Sequence, residues 1–187
     1  MSILFIHGLA SCGLGDKSKA LISFFGEDQV IAPDLAFTPS EAIEQLSKII
    51  ETHQPKLLIG ASLGGFYATW LKQWFNIPAV LVNPVSPPFT RHKEFVGEHR
   101  RWCDGKAFQL TQDHINELLE MQRAALNATE RYLVLLHTHD EVLDYRKAES
   151  YFRDKDLIIE KGGDHRFSNF ADYLPQIAEW AGLTPHG

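Results

Sequence analysis

The chain has 187 residues, 44% of them hydrophobic, 22% charged and 11% aromatic, with a formal net charge of -6. A chain of this size buries roughly 70% of the surface its unfolded form exposes, which excludes dominant disorder and predicts one domain whose core needs no disulfide or metal staple. The acidic balance, with a pI near 5.8, excludes a dedicated nucleic-acid binder, and apolar stretches such as 57–59 and 79–82 fall far short of the roughly 20 residues that span a bilayer.

The first apolar run, residues 3–6, reads as a buried strand. The opening Met1-Ser2 and the following His7-Gly8 supply neither a basic leader nor a small-residue cleavage site. The expected location is the cytoplasm, where Cys12 and Cys103 are expected as free thiols. Gly13-Leu14-Gly15 is not a phosphate loop, because no Gly-Lys-Ser or Gly-Lys-Thr follows at the required spacing. A helix is expected over 18–25 and a second strand over 30–32. Thr38-Pro39-Ser40-Glu41 then has Thr at an N-cap, Pro at the first helical position and Glu placed to close a capping box. Ile43, Leu46, Ile49 and Ile50 form one apolar stripe, which predicts a helix over 39–53.

Further strands are expected at 57–60, 79–82, 132–136 and 157–159, and further helices at 63–75, 145–153 and 169–180. Trp70, Trp74 and Phe75 read as packing of the helix that carries them. The six apolar runs lack a polar alternate face, as expected of strands covered on both sides. Strand alternating with helix predicts an α/β fold with a mainly parallel sheet and helices on both faces. Residues 84–127 break the alternation. Pro84, Pro87 and Pro88 open the segment, a charged stretch covers 91–106 and a helical pattern covers 113–126, with no convincing strand. An insertion of this length between core strands usually covers something, so 86–127 is expected to form a helical cap over a cleft. Asn127-Ala128-Thr129 matches a glycosylation sequon, read as unused without an export signal.

Ligands of open parallel sheets bind at the carboxyl ends of the strands. After the third run stands Gly60-Ala61-Ser62-Leu63-Gly64-Gly65, a G-x-S-x-G elbow between strand and helix. A side chain at either flanking glycine collides with a neighbouring strand or helix, so the sharp turn presents Ser62 alone at the top of the sheet. A serine nucleophile needs a general base, and the base needs an orienting acid. With this elbow the chain order is Ser, then Asp or Glu, then His. His137-Thr138-His139-Asp140-Glu141-Val142 follows the fifth run and Gly162-Gly163-Asp164-His165-Arg166-Phe167 the sixth. Ser62, Asp140 and His165 are therefore the candidate catalytic residues. His137 and His139 lie on the wrong loop for the base, and His53, His92, His99, His114 and His186 lie in helical, inserted or terminal segments. Asp144, Asp164 and Glu141 stay open as alternatives for the acid.

Donors for a developing oxyanion are expected from the backbone N–H of Leu63, after the nucleophile, and from the loop after the first strand, His7-Gly8-Leu9-Ala10-Ser11. There the N–H of Leu9 is chosen, with Ala10 as the alternative, and His7 reads as structural. The His137–Glu141 cluster contains no H-E-x-x-H or spaced cysteine pair, so no metal site is expected. In the insertion Arg91, Lys93, Arg100 and Arg101, with His92 and His99, lie amid Glu94, Glu98 and Asp104. They read either as solvated surface or as a patch attracting an anionic head such as a phosphate or coenzyme A group. Gly8, Ala10, Arg100 and Arg101 are accordingly the candidate substrate-binding residues.

These residues resemble the α/β-hydrolase superfamily and, more narrowly, the small bacterial YqiA-type esterases. The resemblance runs through Phe5-Ile6-His7-Gly8, the stretch from Gly60 to Leu71, Val82-Asn83-Pro84, the segment from Asp140 to Tyr145 and the loop from Gly162 to Phe167, and is weakest through the insertion. Cys12-Gly13 and His139 depart from the pattern, where a Ser-Pro turn and a glycine are expected. The resemblance implies a minimal six-stranded α/β-hydrolase fold and a serine ester hydrolase with Ser62, Asp140 and His165 as triad. Its substrates would be short-chain esters or acyl thioesters such as acyl-CoA, with no cofactor. A peptidase or acyltransferase on the same triad, and a non-catalytic binding protein on the same fold, are the alternatives.

Overall fold

The computed structural model describes residues 2–89 and 92–186, the side chains of His92 and Lys93 excepted. Along the chain lie β1 (Ile3–Ile6), α1 (Asp16–Phe25), β2 (Val30–Ile31), α2 (Pro39–His53), β3 (Leu57–Ala61), α3 (Leu63–Leu71), β4 (Ala79–Val82), β5 (Gly97–Arg100), β6 (Ala107–Leu110), α4 (Gln112–Glu120), β7 (Tyr132–His137), α5 (Tyr145–Tyr151), β8 (Asp156–Glu160) and α6 (Leu174–Ala181). Six strands form one parallel sheet in the order β2-β1-β3-β4-β7-β8. The chain leaves β1 toward β2 on one side and continues through β3 on the other. The loops after β1 and β3 therefore part at a topological switch point, where open α/β sheets form their crevice.

The strand alternation of side chains divides the core in two. Leu4, Ile6, Leu58, Leu81, Val134 and Leu136 face the layer of α2, α3 and α5, against Leu46, Phe66 and Phe152. Ile3, Phe5, Ile59, Val80, Val82 and Leu135 face α1 and α6, against Leu21, Phe25 and Ile177. This is why the runs of β1, β3, β4 and β7 carry no polar face, since both pleat directions are buried there, whereas the edge strands β2 and β8 are only half-buried. At the start of α2 the Thr38 hydroxyl oxygen accepts from the Glu41 N–H at 3.4 Å, while the hydroxyl donates to the Glu41 carboxylate at 2.6 Å. The carboxylate thus takes the side-chain hydroxyl instead of reaching the Thr38 N–H that a full capping box uses.

The expected helical character of residues 86–127 needs correction. The segment contains an antiparallel hairpin, Gly97↔Leu110 to Arg100↔Ala107, followed by α4, which stops at Glu120 rather than running to 126. In β6 exposed and buried residues alternate, with Phe108 and Leu110 inward. That two-residue period marks a half-buried strand but is short and lies next to a charged stretch. After α4 the chain turns so that the buried Arg123 donates to Glu130 at 2.9 Å and to the Thr69 carbonyl at 3.1 Å. This pins the end of the insertion to α3 and the foot of β7. The helix expected over 63–75 likewise ends at Leu71, where turn bonds replace it and the Lys72 ammonium donates to the Ile77 carbonyl at 2.5 Å.

The cysteines also differ from expectation. The hairpin turn brings Cys103 over the loop after β1, and Cys103 is bonded to Cys12 across 91 residues of sequence. Neither thiol is free. Spacing along the chain carries no sign of this pairing, because only the hairpin's docking creates it. Among the described residues no helix is long and apolar enough to cross a membrane.

Two consequences can be measured. Closing a loop this long restricts the unfolded chain, so Cys103→Ser or reduction by a dithiol is expected to lower the unfolding free energy by about 2–4 kcal/mol. A denaturant midpoint unchanged by either treatment contradicts this. Lys72 is buried, and burial pushes its ammonium down to about 8 from the ordinary 10.5. Between those values the unfolded chain binds a proton that the folded chain does not, so this residue makes stability rise with pH across that window. Lys72→Met is expected to remove the rise, and parallel stability curves for the two proteins over that range exclude the burial effect.

Candidate active site

Ser62 lies between β3 and α3 with φ +53 and ψ -118. Its N–H donates to the Val82 carbonyl at 3.0 Å, and its own carbonyl accepts from Gly65 and Val85, each at 3.0 Å. A strained conformation of this kind costs on the order of 1–3 kcal/mol and persists only where its surroundings enforce it. Here the enforcement is close approach. A Cβ on Gly64 would overlap the Ile6 carbonyl oxygen, and one on Gly60 would overlap the Gly64 carbonyl oxygen. The two glycines let α3 start directly against β1 and β3.

The structure brings Ser62, His165 and Asp140 together. His165 Nε2 is 3.0 Å from Ser62 Oγ, and His165 Nδ1 is 2.8 Å and 2.9 Å from the two carboxylate oxygens of Asp140. The Asp140 side chain is 2% exposed, and its Oδ1 also accepts the N–H groups of Val142 and Leu143 at 2.9 and 2.8 Å. A carboxylate can only accept, so the imidazole proton stands on Nδ1 and the Nε2 lone pair faces the serine hydroxyl. Three other carboxylates are engaged elsewhere. Asp144 caps α5 and pairs with Arg146; Asp164 takes the Ser168 hydroxyl at 2.7 Å; Glu141 accepts the His165 N–H at 2.9 Å. His137 is buried below the His165 loop, and His139 is exposed, its N–H bonded to the Gly162 carbonyl.

Gly8 lies against Ser62, with room for a Cβ only 3.2 Å from the serine Cβ. Among the described residues the N–H groups of Leu63, Leu9 and Ala10 have no hydrogen-bond acceptor. Ala10 has φ +57, and its carbonyl accepts the Trp102 N–H of the hairpin turn at 3.1 Å. The His7 ring donates from Nδ1 to the Gly8 carbonyl at 2.8 Å and accepts the Leu35 N–H at Nε2 at 3.1 Å. It thereby ties the loop after β1 to the loop after β2. Burial pushes its pKa below the ordinary histidine value, against the opposing effect of its bond to Gly8.

Beside these backbone donors is a cavity of about 30 Å³, lined in part by Leu9, Phe37, Leu63, Tyr67, Arg101 and Phe108. Phe37 and Phe108 stack at 4.6 Å, joining the loop after β2 to the hairpin. Neither aromatic residue was marked by a motif, since only folding brings them together. Arg101 is ion-paired with Asp104 and, at 3.4 Å, with Asp34, while the exposed Arg100 pairs with Glu98 at 3.2 Å. Arg91 of the expected basic patch lies outside the described residues. A larger cavity of about 680 Å³ lies between α5 and Pro87-Pro88, and none of Ser62, Asp140 and His165 lines it. Among the described residues no group of three His, Cys, Asp or Glu side chains is arranged to hold a metal ion.

The whole architecture has counterparts among solved structures. Alpha/beta hydrolase domain-containing protein 10 from mouse superposes with a TM-score of 0.76 at 19% identity, over 95% of this chain and 88% of its own. A monoacylglycerol lipase from Paleococcus ferrophilus gives 0.69 at 17% identity, over 96% and 93%. At such identities the likeness establishes the α/β-hydrolase fold. In sequence, the UPF0227 protein YcfP of Salmonella paratyphi A is 24% identical over 183 residues, covering 94% of this chain and 96% of its own. The model of the Uncharacterised protein family UPF0227 matches residues 2–182. The chain, which folds as an α/β hydrolase, is a member of the UPF0227 family.

Proposed function

We propose that this protein is a serine hydrolase of carboxylic esters, working through Ser62, His165 and Asp140. The observation that carries the reading is the unbroken chain from Ser62 Oγ to His165 at 3.0 Å and on to Asp140 at 2.8 Å, beside backbone N–H groups with no acceptor. His165 Nε2 takes the hydroxyl proton as Ser62 Oγ attacks the ester carbonyl carbon. The carbonyl π pair moves to oxygen, and the N–H groups of Leu63 and Leu9 stabilise that oxyanion. Asp140 holds the ring's tautomer and stabilises its cation. The oxyanion then collapses, the bond to the leaving oxygen breaks, and His165 protonates the departing alcohol. Water, deprotonated by His165, attacks the acyl-enzyme in the same way and releases the acid and Ser62.

Residues 1–187 act as one hydrolase domain, with 86–127 as the cap and Gly8 and Ala10 on the substrate side of the oxyanion loop. The small-molecule substrate calls on no metal or organic cofactor. Esterase and lipase structures among the fold's neighbours support hydrolysis as the chemistry. The pairing of Arg100 and Arg101 with carboxylates favours an uncharged ester over an acyl-CoA thioester, since these two guanidinium groups already have anionic partners.

A fluorophosphonate, followed by peptide mass mapping, is expected to label Ser62 in the wild type and not in His165→Ala. Asp140→Asn is expected to lower turnover of 4-nitrophenyl acetate by about ten-thousandfold, through loss of the productive tautomer. Absence of any adduct in folded wild-type protein would overturn the reading in favour of a non-catalytic binding protein.

A further inference from the structure

The loop that presents His165 sits on a buried polar node that the proposed reaction does not use. Asn83, at the end of β4 with φ +40 and 2% exposed, donates from Nδ2 to the carbonyls of Asp164 at 2.9 Å and His165 at 3.2 Å. Its Oδ1 accepts the His137 N–H at 2.9 Å, and its own N–H donates to the Leu135 carbonyl at 2.9 Å. One side chain thus joins β4, β7 and the peptide groups on both sides of the His165 Cα.

The His137 ring, at the end of β7 and 1% exposed, supports the same loop from below. It stacks on Phe167 with centroids 3.6 Å apart, and a Cβ on Gly163 would overlap its Nδ1. Nε2 lies 3.2 Å from Glu160 Oε2, which also accepts from Asn169 at 2.9 Å and from the Tyr173 hydroxyl. The Tyr173 and Asn169 bonds hold the Glu160 carboxyl below its ordinary range, so Nε2 is the donor. Nδ1 lies 3.1 Å from both the N–H and the carbonyl of Asp164. With or without a proton it grips the backbone of the residue before His165. The His137 carbonyl also accepts the Asp140 N–H at 3.4 Å, so the same residue touches the acid's loop.

We propose that Asn83 and His137 are positioning residues for the catalytic base, fixing through the backbone of Asp164 and His165 and the face of Phe167 where the His165 ring stands between Ser62 and Asp140. Neither touches the reacting atoms. The inference rests on the reading of His165 as the base. A buried amide with a partner for each of its functions is well suited to the task, because a shift that breaks one of its bonds leaves a buried polar group unsatisfied.

The test uses Asn83→Asp, which keeps the acceptor for the His137 N–H but removes the donor to the two loop carbonyls, and His137→Phe, which keeps the stacked ring but removes both nitrogens. Turnover of 4-nitrophenyl acetate is normalised to the sites titrated when fluorophosphonate labelling is run to completion, which a base weakened about 10- to 100-fold delays without lowering the end point, so that a loss of folded protein does not count. With the base misplaced, kcat per titrated site is expected to fall by about 10- to 100-fold while KM stays within about twofold. The low-field proton NMR signal of His165 Nδ1–H, identified by its absence in His165→Ala, is expected to shift or broaden in both variants, and needs no substrate. Unchanged kcat per titrated site together with an unmoved signal overturns the proposal, as does a loss explained wholly by fewer titrated sites. If His137→Phe does not fold, Asn83→Asp decides by the same readouts. If the wild type neither labels nor turns over, the hydrolase reading fails by itself, and the NMR signal still decides the positioning role.

Discussion

The approach of α3 to β1 and β3, closer than any side chain permits, is the constraint on which the site depends. Because Gly60 and Gly64 carry no Cβ, the helix starts against the Ile6 carbonyl and the β3 backbone. The residue between them is forced to φ +53. That conformation lifts Ser62 out of both the strand and the helix, at the point where the loops after β1 and β3 diverge. Its strain is offset by the bonds of the Ser62 backbone to Val82 and Val85, at and just after the end of β4, and to Gly65 in the first turn of α3. Ser62 is therefore held by the end of β4 as well as by its own turn.

The other two side chains reach Ser62 by the same logic of strand ends. β7 and β8 are neighbours at one edge of the sheet, so the loops bearing Asp140 and His165 emerge side by side. Loops alone are mobile, and here they are bound to strand-end groups. Asn83 holds the His165 loop from β4, and Glu160 holds His137 from β8. The order of the loops bearing Asp140 and His165 is thus converted into fixed distances by strand-end polar groups, of which Asn83 and His137 are within the core, where an unmade hydrogen bond is costly.

On the opposite side of Ser62 the hairpin of β5 and β6 is fastened to the loops after β1 and β2 by four chemically different contacts. These are the Cys12–Cys103 bond, the Trp102 N–H to the Ala10 carbonyl, the Arg101 pair with Asp34, and the Phe37–Phe108 stack. The carbonyl that Trp102 holds belongs to the residue next to Leu9. Docking of the hairpin and the geometry of the proposed oxyanion donors are consequently linked. The same contacts narrow the space beside those donors to about 30 Å³.

Local and short-range information determined much of this molecule before folding is considered. Six apolar runs without a polar face dictate a two-sided parallel sheet, Thr38-Pro39 starts α2, and Gly60-x-Ser62-x-Gly64 makes the elbow. Each depends on backbone sterics or on side-chain period within a few residues, which a sequence states directly. The order Ser62, Asp140, His165 at strand ends was legible for the same reason, since parallel strands bring all their carboxyl ends to one edge. Only the tertiary structure decided the rest. It paired Cys12 with Cys103, folded a hairpin where charge masked a two-residue period, neutralised Arg101 with Asp34 and Asp104, and turned Asn83 and His137 toward the His165 loop. Apart from Asp104, in the same turn as Arg101, and the hairpin's own cross-strand pairs, these partners lie from 27 to 91 residues apart along the chain. Their proximity follows from the docking of whole elements, and no spacing rule along the chain encodes where two elements will meet.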